Sequence, residues 1–208
     1  MHIDAKIVKA LREKTGAGMM DCKKALQEAG GNEEKAVGIL REKGLSAAAK
    51  RADRAANQGI IDSYIHHGGK IGVLVEVNCE TDFVARNDEF REFVRNICLQ
   101  VAATNPTYLN KGQVPEGILE KESQIIRAQA LNDGKPEKVI EKIVEGRLDK
   151  FFNENCLMNQ TFVKEEDLTI EELLTNLIAK IGENIIIRRF SRFEIGENLE
   201  NDSTCCCG

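Results

Sequence analysis

This chain has little of what an enzyme or a membrane protein is built from. No apolar run approaches the ~18 residues that a membrane helix needs. No Cys-x-x-Cys spacing occurs, and the three histidines (His2, His66, His67) do not flank a cysteine pair, which argues against a zinc site. Gly16-Ala17-Gly18 is not followed by the Gly-Lys-Ser/Thr of a phosphate loop, and it lies between helical segments instead of after a strand. Ser63 has no elbow glycines, and none of the few histidines suggests a triad. The paired carboxylates Glu33-Glu34 and Glu171-Glu172 fall in helix first turns, where they favour the macrodipole. No catalytic residue, resident metal or cofactor is therefore expected. Met1-His2-Ile3-Asp4 runs straight into an amphipathic helix, so no leader is expected. The expected location is a cytoplasm, or the interior of an organelle that encodes its own copy.

What is present describes a charged globular protein. A chain of 208 residues holds one sizeable domain plus a small module. Hydrophobic content of 42% is ordinary, and 30% charged residues favours solubility. Charge is uneven: residues 1–58 carry 12 Lys+Arg against 8 Asp+Glu, and the remainder carries 17 against 26. A basic head suits nucleic acid or an acidic protein face. Here, though, Lys and Arg interleave with Glu at helical spacing, and the head has no aromatic residue to stack on bases. Nucleic-acid binding is not expected. Cys22, Cys79, Cys98 and Cys156 are isolated within helical or strand patterns and read as buried thiols.

Punctuation divides the chain. Asp4 caps a helix carrying Ile7, Val8 and Leu11, which Thr15–Gly18 breaks. A second helix runs from about Met19 to Ala29 and ends at Gly30-Gly31. Asn32 caps a third, with Ala36, Val37, Ile39 and Leu40 inward, and Gly44 is expected to stop it. Residues 1–45 therefore read as a compact three-helix module. Residues 46–58 are rich in Ala, Lys and Arg without a wide apolar stripe, which is the pattern of a helical connector that lets the flanking parts move. Residues 59–197 read as an α+β core. It opens with a hairpin around His67-Gly68-Gly69, and Pro115 and Pro136 open helices around 118–131 and 139–152. Thr169 and Glu172 form a capping box, and Asn184–Glu194 is a closing strand that begins Ile-Ile-Ile. Three strands, expected to pair antiparallel, have helices around them. Residues 198–208, ending Cys205-Cys206-Cys207-Gly208, read as a disordered tail.

The sharpest local feature is Glu76-Val77-Asn78-Cys79-Glu80-Thr81-Asp82-Phe83-Val84-Ala85-Arg86-Asn87. Ile71, Val73, Val75, Val77 and Cys79 alternate as in a strand. Phe90, Phe93, Val94, Ile97 and Val101 recur at helical spacing behind an Asn87/Asp88 cap. An aromatic beside a carboxylate, carried between two rigid elements, is well placed to act on another surface. The competing reading has Phe83 plugging the strand–helix corner.

A second segment is Leu11-Arg12-Glu13-Lys14-Thr15-Gly16-Ala17-Gly18-Met19-Met20-Asp21-Cys22-Lys23-Lys24-Ala25-Leu26. Together the two closely resemble the signature motifs of the bacterial-type elongation factor Ts family, the guanine-nucleotide exchange factors for elongation factor Tu. A third match lies in Thr169–Leu174 and Ile181-Gly182-Glu183-Asn184-Ile185, running into Arg188-Arg189-Phe190. The resemblance covers residues 1 to about 197.

The resemblance implies a ubiquitin-associated-like fold for the N-terminal bundle and GDP-bound elongation factor Tu as the partner. It also implies that Thr81, Asp82, Phe83 and Val84 displace Mg²⁺ from that partner, and that Arg12, Met19, Met20 and Lys23 grip its nucleotide domain. Two adjacent methionines cannot both face a three-helix core, so at least one should be exposed; the alternative is that both pack at the bundle's edge. A second reading of the chain is a ubiquitin-associated-like adaptor without exchange activity. Thr81–Val84, which a plain adaptor has no reason to carry, separates the two.

Longer members of the family stack two related lobes and add a coiled-coil hairpin. Only one lobe is legible here, as in the short forms. A homodimer is expected to replace the missing lobe, because three strands leave open edges and Ile185-Ile186-Ile187 reads as buried on both faces. The alternative is a monomer with helices 116–152 folded back over the sheet.

Overall fold

The structure, a computed structural model, describes residues 3–197; the expected tail and Cys205–Cys207 lie outside the described residues. The first three helices are Ala5–Thr15 (α1), Met19–Glu28 (α2) and Glu33–Ala49 (α3). Asp4 accepts from the Lys6 N–H at 3.0 Å, and Asn32 accepts from the Lys35 N–H at 2.9 Å, so both predicted caps satisfy donors a helix start leaves free. Val8, Leu11, Cys22, Ala25, Leu26 and Ala36 form a buried cluster of their own.

Gly44 does not stop α3. The helix continues five residues further and carries Gly44 against the helix Ile170–Ile181 (α8). A methyl group added at Gly44 would meet Thr175 and Ala179 at 3.8 and 3.9 Å, ordinary contact distances. Tertiary packing therefore overrides the intrinsic helix-breaking tendency of glycine. Arg41 pairs with Glu172, and Arg51 Nε donates to the Gly182 carbonyl at 3.0 Å, so the end of α3 and the turn beyond it rest on α8.

The sheet consists of Gln58–Ile65 (β1), Ile71–Cys79 (β2) and Ile185–Glu194 (β5), in the order β1-β2-β5, antiparallel throughout. The α+β class and the antiparallel pairing are as expected. Gly59 sits at φ 147°, and a Cβ there would lie 2.2 Å from the Val77 carbonyl oxygen. Only glycine permits that approach of β1 to β2.

On one face Val73, Val75, Val77 and Cys79 pack against Phe90, Phe93, Val94, Ile97 and Val101 of Asp88–Thr104 (α5). Ile185 and Ile187 join that core. Ile186 does not: it points to the other face and is exposed, correcting the reading of this run as buried on both sides. Ordinary strand alternation explains the result. A bulge at Arg188/Arg189 then resets the phase, so that Phe190 returns to the inner face opposite Val75.

Glu116–Asn132 (α6) and Glu137–Asn155 (α7) do not fold over the sheet. They form a helical hairpin with a separate small core of Ile126, Ala130, Ile140 and Val144. A feature absent from the sequence reading is the two-stranded ribbon of Thr161–Phe162 (β3) and Glu165–Thr169 (β4), which leads into α8 through the capping box of Thr169 and Glu172. Among the described residues, no helix is long and apolar enough to cross a membrane.

Candidate partner-binding site

β2 ends at Cys79, and the chain turns at once into a helix of one turn, Asp82–Ala85 (α4). Thr81 is its cap: the backbone is extended and Oγ1 accepts from the Val84 N–H at 3.4 Å. Ala85 is buried and Val84 half-buried against the main core. Geometry then turns Phe83 outward, and the residue is 80% exposed. That excludes the competing reading in which Phe83 plugs the corner.

Leaving a phenylalanine in water forgoes ~2 kcal/mol of burial. The turn that carries it is tightly held. Two bonds come from Glu183, in the turn between α8 and β5, whose Oε1 accepts from Thr81 Oγ1 at 2.7 Å and whose Oε2 accepts from the Thr81 N–H at 3.1 Å. Glu80 accepts from the Asn184 N–H at 2.6 Å. The buried Asn184 side chain donates to the carbonyls of Ala52 and Arg54 at 3.2 and 2.7 Å, reaching the segment that leaves α3. The Cys79 thiol donates to the Thr81 carbonyl at 3.1 Å. Burial, with a further contribution from the Glu183 charge, raises that thiol to about 11, so it remains a neutral donor.

The N-terminal candidates lie at the joint between α1 and α2. Arg12 is in the last turn of α1, Met19 and Met20 open α2, and Lys23 follows one turn later; all four are exposed. Met19 is 42% and Met20 61% exposed, so neither methionine is consumed by the bundle core. Gly16, at φ 67°, ends α1 by donating to the Arg12 carbonyl at 2.8 Å. Cys22 is buried directly beneath, its thiol 3.7 Å from the Ala17 carbonyl. The structure thus forms two exposed groups, each on its own core cluster: Arg12, Met19, Met20 and Lys23 on the bundle, and Asp82 and Phe83 on the sheet domain. Thr81 and Val84 are half-buried supports for the second group.

Glu80, Glu183 and Asn184 were not predicted as site residues. The only signal was that Ile181–Ile185 fell in a matching segment, with nothing to say what its polar residues touch.

A sequence model described as "Elongation factor TS" matches residues 5–176. The chain belongs to the elongation factor Ts family. Curated members of the family are similar over nearly its whole length. Elongation factor Ts from Thermoanaerobacter sp. (strain X514) is 62% identical over 201 residues, covering 97% of this chain and 98% of its own. The protein of that name from Caldanaerobacter subterraneus subsp. tengcongensis is 63% identical over 198 residues, 95% of this chain and 99% of its own. That from Alkaliphilus metalliredigens is 63% identical over 200 residues, 96% and 93%.

Proposed function

We propose that this chain binds GDP-bound elongation factor Tu in the cytoplasm and promotes GDP release, acting as a nucleotide exchange factor and not as a catalyst. The observation that carries the reading is Phe83: a fully presented aromatic on a turn pinned by Glu183, in a family of elongation factors. Exchange requires that bound factor and bound nucleotide weaken each other by one coupling free energy. GTPase-bound nucleotide depends on Mg²⁺ that bridges its phosphates, so dislodging the metal is an economical way to loosen it. Thr81, Asp82, Phe83 and Val84 form the displacing segment. Phe83 is the wedge, a rigid aromatic with little rotamer entropy to lose, and Asp82 supplies negative charge beside the metal.

The ubiquitin-associated-like bundle, residues 1–45, grips the nucleotide domain through Arg12, Met19, Met20 and Lys23. The exposed methionines adapt to an apolar surface and the cations flank them. Residues 46–58 connect it to the core, 59–197, which also serves as the dimerisation domain.

A homodimer is part of the same proposal. The outer face of the sheet presents Ile61, Ile65, Leu74, Ile186 and Phe193, all exposed. Ile65 and Phe193 stand in register on either side of Gly72. Glu76 lies between Arg188 and Arg189, 3.7 and 2.7 Å away, and a two-fold axis would let such pairs exchange partners. A second copy packed sheet to sheet is the proposed occupant of this apolar face.

The direct test is release of a fluorescent GDP analogue from elongation factor Tu, with and without the chain. Acceleration at micromolar concentration, with no nucleotide hydrolysed by the chain alone, is expected. No acceleration with a cognate partner rejects the proposal and favours an adaptor.

A further inference from the structure

We infer that Glu183 is a positioning residue for exchange: it holds the Thr81 hydroxyl and amide so that α4 forms and Phe83 is presented. The inference rests on the reading of Phe83 proposed above and names what sets its position. A helix of one turn has almost no stability of its own, since nucleation fixes several residues for a single hydrogen bond. Ala85 and Val84 anchor α4 on the core, and its start is set by a cap that depends on one hydroxyl. Thr81 Oγ1 donates to Glu183 Oε1 at 2.7 Å and accepts from the Val84 N–H at 3.4 Å. A hydroxyl rotates freely unless its proton is claimed. The Glu183 carboxylate claims it, leaving a lone pair aimed at the helix. The second oxygen, 3.1 Å from the Thr81 N–H, fixes the residue's backbone in the extended conformation that a cap needs.

Glu183 has no comparable duty elsewhere. The end of α8 is closed by Gly182, whose N–H donates to the Ile178 carbonyl at 2.9 Å, and the start of β5 is held by the backbone and side chain of Asn184. Removing the Glu183 carboxylate leaves those bonds in place and frees only the turn. The next residue along, Asn184, ties the same corner to Ala52 and Arg54. The corner at 182–184 therefore sets where Phe83 stands relative to the segment leading from the N-terminal bundle. A purely structural glutamate would affect stability and spare the relation between Phe83 and the partner.

Two measurements test this on the intact chain. The first is stopped-flow release of a fluorescent GDP analogue from elongation factor Tu, for the wild type, Glu183→Ala, Glu183→Gln, Phe83→Ala and the double variant Glu183→Ala/Phe83→Ala. Glu183→Ala is expected to lower the maximal release rate by roughly tenfold or more, the worth of one charge-assisted hydrogen bond, and to leave the half-saturating concentration within about twofold. Glu183→Gln keeps one acceptor oxygen and loses the other, so its rate should fall between those of the wild type and Glu183→Ala. If Glu183→Ala does not fold, a wild-type rate for Glu183→Gln when Phe83→Ala is slow overturns the inference. In the Phe83→Ala background the second substitution should add less than about twofold, because Glu183 acts through Phe83. Full additivity overturns the inference, as does a wild-type rate for Glu183→Ala when Phe83→Ala is slow. A wild-type rate for Phe83→Ala instead overturns the function proposed above and the exchange role of Glu183 with it.

The second measurement needs no partner. The chain contains no tryptophan, so Phe83→Trp installs a single reporter. Its fluorescence anisotropy should show a larger fast component when Glu183→Ala is added. An unchanged decay overturns the positioning role, whatever the exchange rates show.

Discussion

Asp82 and Arg86 pair across one turn, Nη2 3.0 Å from Oδ2, on either side of Phe83 in the sequence. Both side chains are well exposed, and such pairs contribute only ~0.2–1 kcal/mol. The pair is weak enough to open when another charge approaches, which leaves Asp82 available to act near a metal ion. Arg86→Ala should therefore shift Tm by no more than about 4 °C and leave GDP release intact or faster. Asp82→Asn keeps the shape and removes the charge, and it should slow release roughly tenfold, as one charge-assisted hydrogen bond of ~1.5 kcal/mol implies. Wild-type release by Asp82→Asn would show that the carboxylate plays no part.

Phe83→Ala and a charge at Met20 should separate rate from grip. Truncating an engaged aromatic anchor costs on the order of 2–4 kcal/mol. Phe83→Ala should accordingly lose most of the release rate while the half-saturating concentration changes little. Met20→Glu introduces a charge into an apolar contact on the other module, and there the half-saturating concentration should rise while the maximal rate holds. Titrating each variant against elongation factor Tu loaded with the fluorescent analogue reads both quantities at once. Equal effects on both parameters in both variants would mean that the two groups do not divide the work.

The parts of the fold legible in the sequence are those set by neighbours along the chain. β2 shows as strict alternation from Ile71 to Cys79, and α5 shows as a cap at Asn87 followed by helical spacing. Pro115 and Pro136 mark the starts of α6 and α7, but nothing local says what those helices pack against. Gly44 misleads because its breaking tendency is outweighed by contact with Thr175 and Ala179, residues distant in sequence. The exposure of Ile186 follows from alternation that three consecutive isoleucines conceal. Phe83 could be singled out but not oriented, and its support was invisible, because Glu183 lies 102 residues from the threonine it holds. The ribbon β3–β4 is short and carries Glu165-Glu166-Asp167, which hides it among loop-like residues.

Gln100 on α5 is fully buried, and the ribbon depends on it. Its Nε2 donates to Gln160 Oε1 at 3.2 Å and to the Thr161 carbonyl at 3.0 Å, and its Oε1 accepts from the Val163 N–H at 2.9 Å. Gln100→Leu matches the core in polarity yet strands a carbonyl and an amide, at roughly 1–3 kcal/mol each. Tm should fall by roughly 4–24 °C at the 2–4 °C per kcal/mol usual for chains of this size. Differential scanning calorimetry checks this, and an unchanged Tm would mean that the ribbon's backbone finds other partners.

Buried thiols make the protein sensitive to alkali. Burial raises Cys98 from 9.0 to about 12, with the Asp62 charge adding to the effect, and raises Cys79 to about 11. The folded thiols stay protonated where the unfolded chain would ionise. Their contribution to stability is therefore full below about pH 9 and is lost as pH rises from there towards 11 and 12. Urea midpoints at pH 8 and pH 10 should fall more steeply in the wild type than in Cys98→Ala. Parallel declines would mean that the Cys98 thiol is not responsible.

The proposed dimer makes the most demanding prediction, because it concerns a face that one chain leaves uncovered. Phe193 and Ile65 are each about two-thirds exposed and Leu74 nearly half, all on the side of the sheet away from α5. Packing that face against its own copy would return on the order of 25 cal/mol for each Å² of apolar surface buried. A charge placed centrally should remove that gain and force repulsion between equivalent positions across the two-fold axis. Under reducing conditions at tens of micromolar, sedimentation equilibrium should give twice the 23.1 kDa chain mass for the wild type. Leu74→Lys should give a single chain mass. Because the substitution lies on the outer face, the inner core is untouched and the variant should retain its helical circular dichroism. GDP release per chain should also persist in Leu74→Lys, since Phe83 and Met20 belong to other surfaces. A wild type that sediments at 23.1 kDa rules the dimer out and leaves the sheet face open in solution.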